Sequence, residues 1–139
     1  MAFVPDASVA AAWVLPDEEA TLAELTLDRL GNETANVPGL FWHELRNLLL
    51  SAERRGRIDA RHADVSITRL RRLPIRSSGG VDDRHVMALA RDHRLTAYDA
   101  SYLALAIRDG CALASLDRRL TEAAATEGVP SLMYGGGRA

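Results

Sequence analysis

The sequence predicts an α/β protein with a central parallel sheet covered by helices on both faces. Short apolar runs alternate along the chain with longer amphipathic segments, the pattern of βα units rather than hairpins. No internal repeat or linker divides the 139 residues, a length sufficient for one hydrophobic core. A hydrophobic fraction of 47% and a charged fraction of 26% are those of an ordinary globular domain. Cys111 is the sole cysteine, so the core must hold without an intrachain disulfide.

AFVP (2–5) is the first expected strand, followed by a helix over SVAAAWVL and a second over DEEATLAELTLDRLGN that ends at Gly31 or Asn32. ANVP (35–38) is a second short strand. FWHELRNLLLSAERRG is a helix with Gly56 at its C-terminal cap, and Asp59 caps the helix of DARHADVSITRLRRL. PIR (74–76) is a third strand and SSGG opens a loop. Helices are expected over DDRHVMALARDHR, over DASYLALAIRDG after the short apolar LTAY, and over DRRLTEAAATEG after the strand CALASL. VPSLMY is the last strand, and GGGRA, from about residue 135, is a frayed tail. The single domain therefore covers 1–139. The N-terminus lacks the basic region of a signal peptide and no apolar run approaches a membrane span, so a cytoplasmic protein is expected.

All 17 basic residues are arginine. A chain without lysine cannot supply the phosphate-binding lysine of a P-loop, the lysine of a protein kinase or the amine of a Schiff-base enzyme. A phosphoacceptor signalling domain is disfavoured for the same reason. Guanidinium is nevertheless well suited to phosphate. Arg54, Arg55, Arg57 and Arg61 gather near one helix–helix turn, while Arg118 and Arg119 follow Asp117 directly. Each cluster reads either as a solvated helix end or as a phosphate contact.

One punctuation recurs: AFVP, LTAY and LASL end in Asp6, Asp99 and Asp117, each at the expected start of a helix. Aspartate there can simply cap the helix. Serine, threonine and asparagine cap about as well, so aspartate at all three junctions is more than capping requires. In open parallel sheets, ligands sit beyond the C-terminal strand ends. A fourth carboxylate comes from the helix of FWHELRNLLLSAE. Phe41, Trp42, Leu45, Leu48, Leu49 and Ala52 form its apolar arc, and Glu44, Asn47 and Ser51 its polar arc. Glu44 at the border is either a solvated side chain or one directed into a cleft.

FVPDAS, PGLFWHELRNLL, LTAYDASYLALA and LASLDRRL, in this order and spacing, resemble the motifs of PIN-domain ribonucleases, particularly the VapC-type toxins of bacterial toxin–antitoxin pairs. The resemblance covers essentially the whole chain. It implies a three-layer α/β/α sandwich and assigns an acidic catalytic and metal-binding site to Asp6, Glu44, Asp99 and Asp117. Ser8 and Ser115 match the small hydroxyl positions beside the first and last aspartates, and Asn47 the polar residue one turn after the glutamate. Pro5 departs from the pattern by removing an N–H at a strand end.

Clustered carboxylates repel one another unless a cation compensates, and oxygen ligands without a His or Cys pattern suit Mg²⁺ or Mn²⁺. Such an ion can activate water and polarise a phosphodiester. The resemblance further implies an RNA substrate (tRNA, rRNA or mRNA), a homodimer and a cognate antitoxin. Arg118 and Arg119 are the candidate RNA contacts. Leu50, on the polar side of its helix, is either the candidate antitoxin contact or an isolated exposed leucine. The alternative to a metal-dependent endoribonuclease is a catalytically silent PIN-like interaction module.

Overall fold

The computed structural model describes residues 1–16 and 20–132. The first residues of the expected second helix, the end of the last strand at Met133 and Tyr134, and the expected tail lie outside the described residues. The elements run β1 (Ala2–Pro5), α1 (Ala7–Ala12), α2 (Ala20–Arg29), β2 (Thr34–Val37), α3 (Leu40–Arg54), α4 (Ala60–Arg71), β3 (Ile75–Ser77), α5 (Asp83–His93), α6 (Ala97–Asp109), β4 (Ala112–Ala114) and α7 (Arg118–Thr126). The four strands form one parallel sheet in the order β3-β2-β1-β4, flanked by helices.

Alternating strand residues enter different apolar layers, as a two-residue period requires. Phe3, Ala35 and Ala114 pack with Val9, Leu22 and Leu30, whereas Val4 and Leu113 join the larger cluster containing Leu45, Leu89, Leu103 and Leu120. Helix α6 is the most enclosed: Ala100 through Ala106 are all buried, which explains why its sequence is apolar nearly all round. Trp13 Nε1 donates to Thr26 Oγ1 at 2.9 Å, tying the turn after α1 to α2.

The parallel register brings the site together. Pro5 pairs with Ala114, so β1 and β4 end side by side and deliver Asp6 and Ser115 to the same edge. Pro5 does not disturb this arrangement. The pairing with β2 ends at Phe3↔Ala35, and the Asp6 N–H continues the ladder to the Ala114 carbonyl at 2.9 Å. The missing proline donor therefore leaves the pairing with β4 intact.

Four expectations are corrected. The helix expected from Asp99 starts two residues earlier: α6 begins at Ala97 with Thr96 as its N-cap, so Asp99 occupies the third helical position. The Thr96 hydroxyl accepts the Asp99 N–H at 3.1 Å, an N-cap hydrogen bond. Leu48, expected in the apolar arc of α3, is 38% exposed because it stands at the edge of that arc, one turn beyond Glu44. VPSLMY forms no strand among the described residues, only a bridge between Leu113 and Ser131. The third strand starts one residue later than expected, at Ile75, after Pro74.

Candidate active site

Asp6, Glu44, Asp99 and Asp117 all line one cavity of about 380 Å³ beyond the C-terminal ends of β1 and β4, together with Ser8 and Asn47. Four separate elements supply the carboxylates. Asp6 follows β1 and caps α1 through the Val9 N–H at 3.1 Å; Asp117 caps α7 through the Leu120 N–H at 3.1 Å. Asp99 projects from the first turn of α6 and Glu44 from the second turn of α3. Capping and convergence thus coexist at Asp6 and Asp117.

Asp6 is the buried member, 5% exposed. Ser8 Oγ donates to its Oδ1 at 2.6 Å and Ser115 Oγ to its Oδ2 at 2.5 Å. The Asp117 N–H donates to the same Ser115 oxygen at 2.9 Å, so one hydroxyl links the first and last aspartates. Both expected serines therefore orient a carboxylate. Burial pushes the Asp6 pKa upward; the two serines and the Val9 N–H oppose the shift, and the Asp117 charge adds to it.

Glu44 and Asp99 are partly buried, and both carboxyls also sit above the ordinary carboxylate range. Desolvation is the main cause in each case. For Glu44 the Tyr102 hydroxyl opposes the rise, while the charges of Asp99 and Asp6 reinforce it. For Asp99 the reinforcing charges are Asp117 and Asp6, and Thr96 opposes them. Three of the four carboxylates are thus held at an energetic disadvantage by burial and by one another.

Sequence reasoning missed Tyr102. Its ring is buried at 1% exposure, and its hydroxyl reaches the cavity to donate to Glu44 Oε1 at 2.6 Å. A signal for it exists in DASY: residues three apart share a helix face, so any reading that aims Asp99 at the cavity also aims Tyr102 there. Leu48 and Leu116 add apolar edges to the same cavity.

The donor chemistry fits a hard divalent cation: four carboxylates with hydroxyl and amide groups beside them, in excess negative charge, with no imidazole or thiol among the lining residues. None of the four histidines lines the cavity; His62 meets the Val14 carbonyl, His93 meets Glu127 and His43 meets Arg46. As the side chains stand, no group of three or more His, Cys, Asp or Glu among the described residues is drawn together closely enough to hold an ion. Uncompensated repulsion favours such separation.

Arg118 and Arg119 begin α7 immediately beyond Asp117 and are exposed. Leu50 is 42% exposed on α3, as expected for the polar side of that helix. Among the described residues no helix is long and apolar enough to cross a membrane.

The family model described as "PIN domain" matches residues 3–126. The chain belongs to the PIN-domain family. A relative named Ribonuclease VapC3, from Pyrobaculum aerophilum, is 33% identical over 126 residues, covering 88% of this chain and 94% of that protein. It bears out the VapC-type resemblance carried by the four motifs. The crystal structure of PAE2754 from Pyrobaculum aerophilum matches with a TM-score of 0.62 at 24% identity, covering 88% of this chain and 87% of that one. It supports the PIN-domain fold.

Proposed function

We propose that this PIN domain is a Mg²⁺- or Mn²⁺-dependent endoribonuclease, the toxin of a cytoplasmic toxin–antitoxin pair that restrains growth by cutting RNA. The observation that carries the reading is the convergence of Asp6, Glu44, Asp99 and Asp117 on one cavity, where burial and mutual repulsion leave negative charge that a cation would neutralise. Kinship with Ribonuclease VapC3 supports the choice of RNA as substrate.

Asp6 and Asp99 are assigned to direct contact with the ion, and Glu44 and Asp117 to holding water or the ion through water. Bound there, the ion supplies positive charge that polarises a phosphodiester and eases deprotonation of a water. The remaining work belongs to the chain. Ser8 and Ser115 hold both oxygens of Asp6, Tyr102 fixes one oxygen of Glu44, and Asn47 offers an amide at the cavity wall. Arg118 and Arg119 supply cations beside a site whose own charge repels RNA. Leu50 is assigned to the antitoxin interface, and the toxin to a homodimer.

Purified protein incubated with RNA should cut it only when Mg²⁺ or Mn²⁺ is present and should leave 5′-phosphate ends. Persistent cutting in EDTA by a contaminant-free preparation would refute the metal-dependent reading. Absence of cutting under every metal condition, with partner binding retained, would establish the silent interaction module instead.

A further inference from the structure

Beside the acidic cavity lies a second one, of about 470 Å³, whose wall includes Arg94, Arg118 and Arg119. Asp99 and Asp117 line both cavities, so an extended ligand in the first can continue directly into the second. The arginines come from two different elements: Arg94 from the turn between α5 and α6, Arg118 and Arg119 from the start of α7. Their convergence is therefore not the accidental charge of one helix end.

Arg94 is the informative member. It is the left-handed C-cap of α5, with φ 55° and ψ 42°, and the only non-glycine residue with positive φ among the described residues. Glycine is the residue that adopts this conformation without steric cost, and most helix ends of this kind use it. Here the position carries an arginine that lines the cavity, and Arg119 Nη1 donates to the Arg94 carbonyl at 3.4 Å, joining the turn to α7. Arg118 is only weakly committed, paired with Glu122 at 3.2 Å while its side chain is 91% exposed.

We propose that this second cavity is a phosphate subsite that holds the phosphodiester adjacent to the one being cut, and that Arg94 is its positioning residue. The inference rests on the ribonuclease reading above. Guanidinium presents a planar fork of donors that matches phosphate oxygens, and three of them offset the repulsion between an RNA strand and the shared Asp99–Asp117 wall. An acidic peptide could meet the same cations. Continuity with the carboxylate cavity favours the nucleic acid, because a strand positioned for cutting must place its neighbouring phosphate next to that wall.

The test compares wild type with Arg94→Gly, Arg94→Lys and, as an exposed cation that lines neither cavity, Arg72→Ala at the C-terminal end of α4. Anisotropy of a labelled short single-stranded RNA pool of random sequence is titrated across a salt series in EDTA. Arg94→Gly suits the left-handed backbone, so the fold is kept while the charge is lost. Its log–log salt slope should fall by about 0.7, one counterion-releasing contact on a single strand. Arg94→Lys should restore most of the slope, and Arg72→Ala should match wild type. An unchanged slope in Arg94→Gly overturns the subsite, as does failure of Arg94→Lys to restore it, since the slope counts released counterions and lysine keeps the charge. An unchanged RNA slope with lost binding of an acidic peptide would assign the cavity to a protein partner and overturn the proposal. If wild type itself shows no salt-dependent RNA binding, the ribonuclease reading fails with it, a result distinct from failure of Arg94 alone.

Discussion

Replacing Asp99 by asparagine separates metal chemistry from helix capping more cleanly than any other change in the cavity. Asp6 and Asp117 cap their helices, and Asp6 also accepts two serine hydroxyls, so substitution there mixes several losses. Asp99 caps nothing; Thr96 does that work for α6. Without metal, two effects oppose each other in Asp99→Asn. Removing the charge relieves desolvation and repulsion from Asp117 and Asp6, while the α6 N-terminus loses a dipole interaction of about 0.3–1 kcal/mol. Melting in EDTA should therefore move little, by no more than about 3 °C. With metal at ten times its Kd, wild type gains about 1.4 kcal/mol from binding to the native state. At about 2.1 cal/mol/K per residue over 139 residues, the unfolding entropy is about 0.3 kcal/mol/K, and the gain appears as about 5 °C. Asp99→Asn should lose most of that shift and at least about 100-fold in RNA cleavage, about 2.7 kcal/mol of transition-state stabilisation. The assay is thermal melting of both proteins in EDTA and in Mg²⁺ or Mn²⁺, paired with cleavage. If wild type shows no metal-dependent shift at tens of millimolar, or the variant shifts equally, the carboxylates do not form a metal site.

Tyr102→Phe should lower stability by about 1 kcal/mol, less than a fully buried hydrogen bond to a charged group contributes, because water can reach the half-exposed Glu44. Cleavage should fall on the order of 10-fold once Glu44 Oε1 is released, and added to Glu44→Gln the substitution should have almost no further effect; additive losses in that cycle would show that Tyr102 acts elsewhere. Metal-free protein should melt higher at about pH 4 than at about pH 7.5. Asp6, Glu44 and Asp99 bind protons more tightly folded than at their ordinary values of 3.8, 4.5 and 3.8, so their contribution is present below those values and is lost as pH rises through the raised ones. Saturating metal should remove this fall, and a metal-free profile that rises towards neutral pH would contradict the electrostatic account. Leu50→Asp should fold normally, being 42% exposed, yet weaken the complex with the protein encoded beside it; unchanged calorimetric affinity would remove Leu50 from the interface.

Asp6 and Asp117 were legible because a parallel sheet constrains strand ends. Once AFVP and LASL are neighbouring strands, the residues that follow them must meet, and the Pro5↔Ala114 register carries this out. Asp99 was legible as a carboxylate that converges with the others on one cavity but not as a helix position, because threonine and aspartate compete for the cap and only the backbone reveals that Thr96 takes it. Leu48 was misplaced because helical angles locate the edge of an arc, not where neighbouring elements stop covering it. Of the last expected strand, the described residues show a single bridge, in which Leu113 pairs with Ser131 beside β4. Arg94 could not be found from pattern alone, since nothing in DHRLTAY announces a left-handed arginine.

The use of helix caps as candidate ligands has a physical consequence for the site. A capping aspartate is held by an N–H of its own helix, and Asp6 by two serines as well, so its position does not depend on a cation. Glu44 has no cap to hold it and relies on Tyr102, across the interface between α3 and α6. The carboxylates therefore differ in how firmly the fold retains them when uncompensated charge pushes them apart. Asp6 and Asp117 form the fixed side of the cavity, through the hydroxyl of Ser115 that joins them, while Glu44 and Asp99 approach from the opposing helices. Compensation of that charge should then act mainly on the second pair, tightening α3 against α6. Amide exchange at the start of α6 should slow on adding Mn²⁺ more than exchange in α7, and equal slowing in both would show that the two sides respond alike.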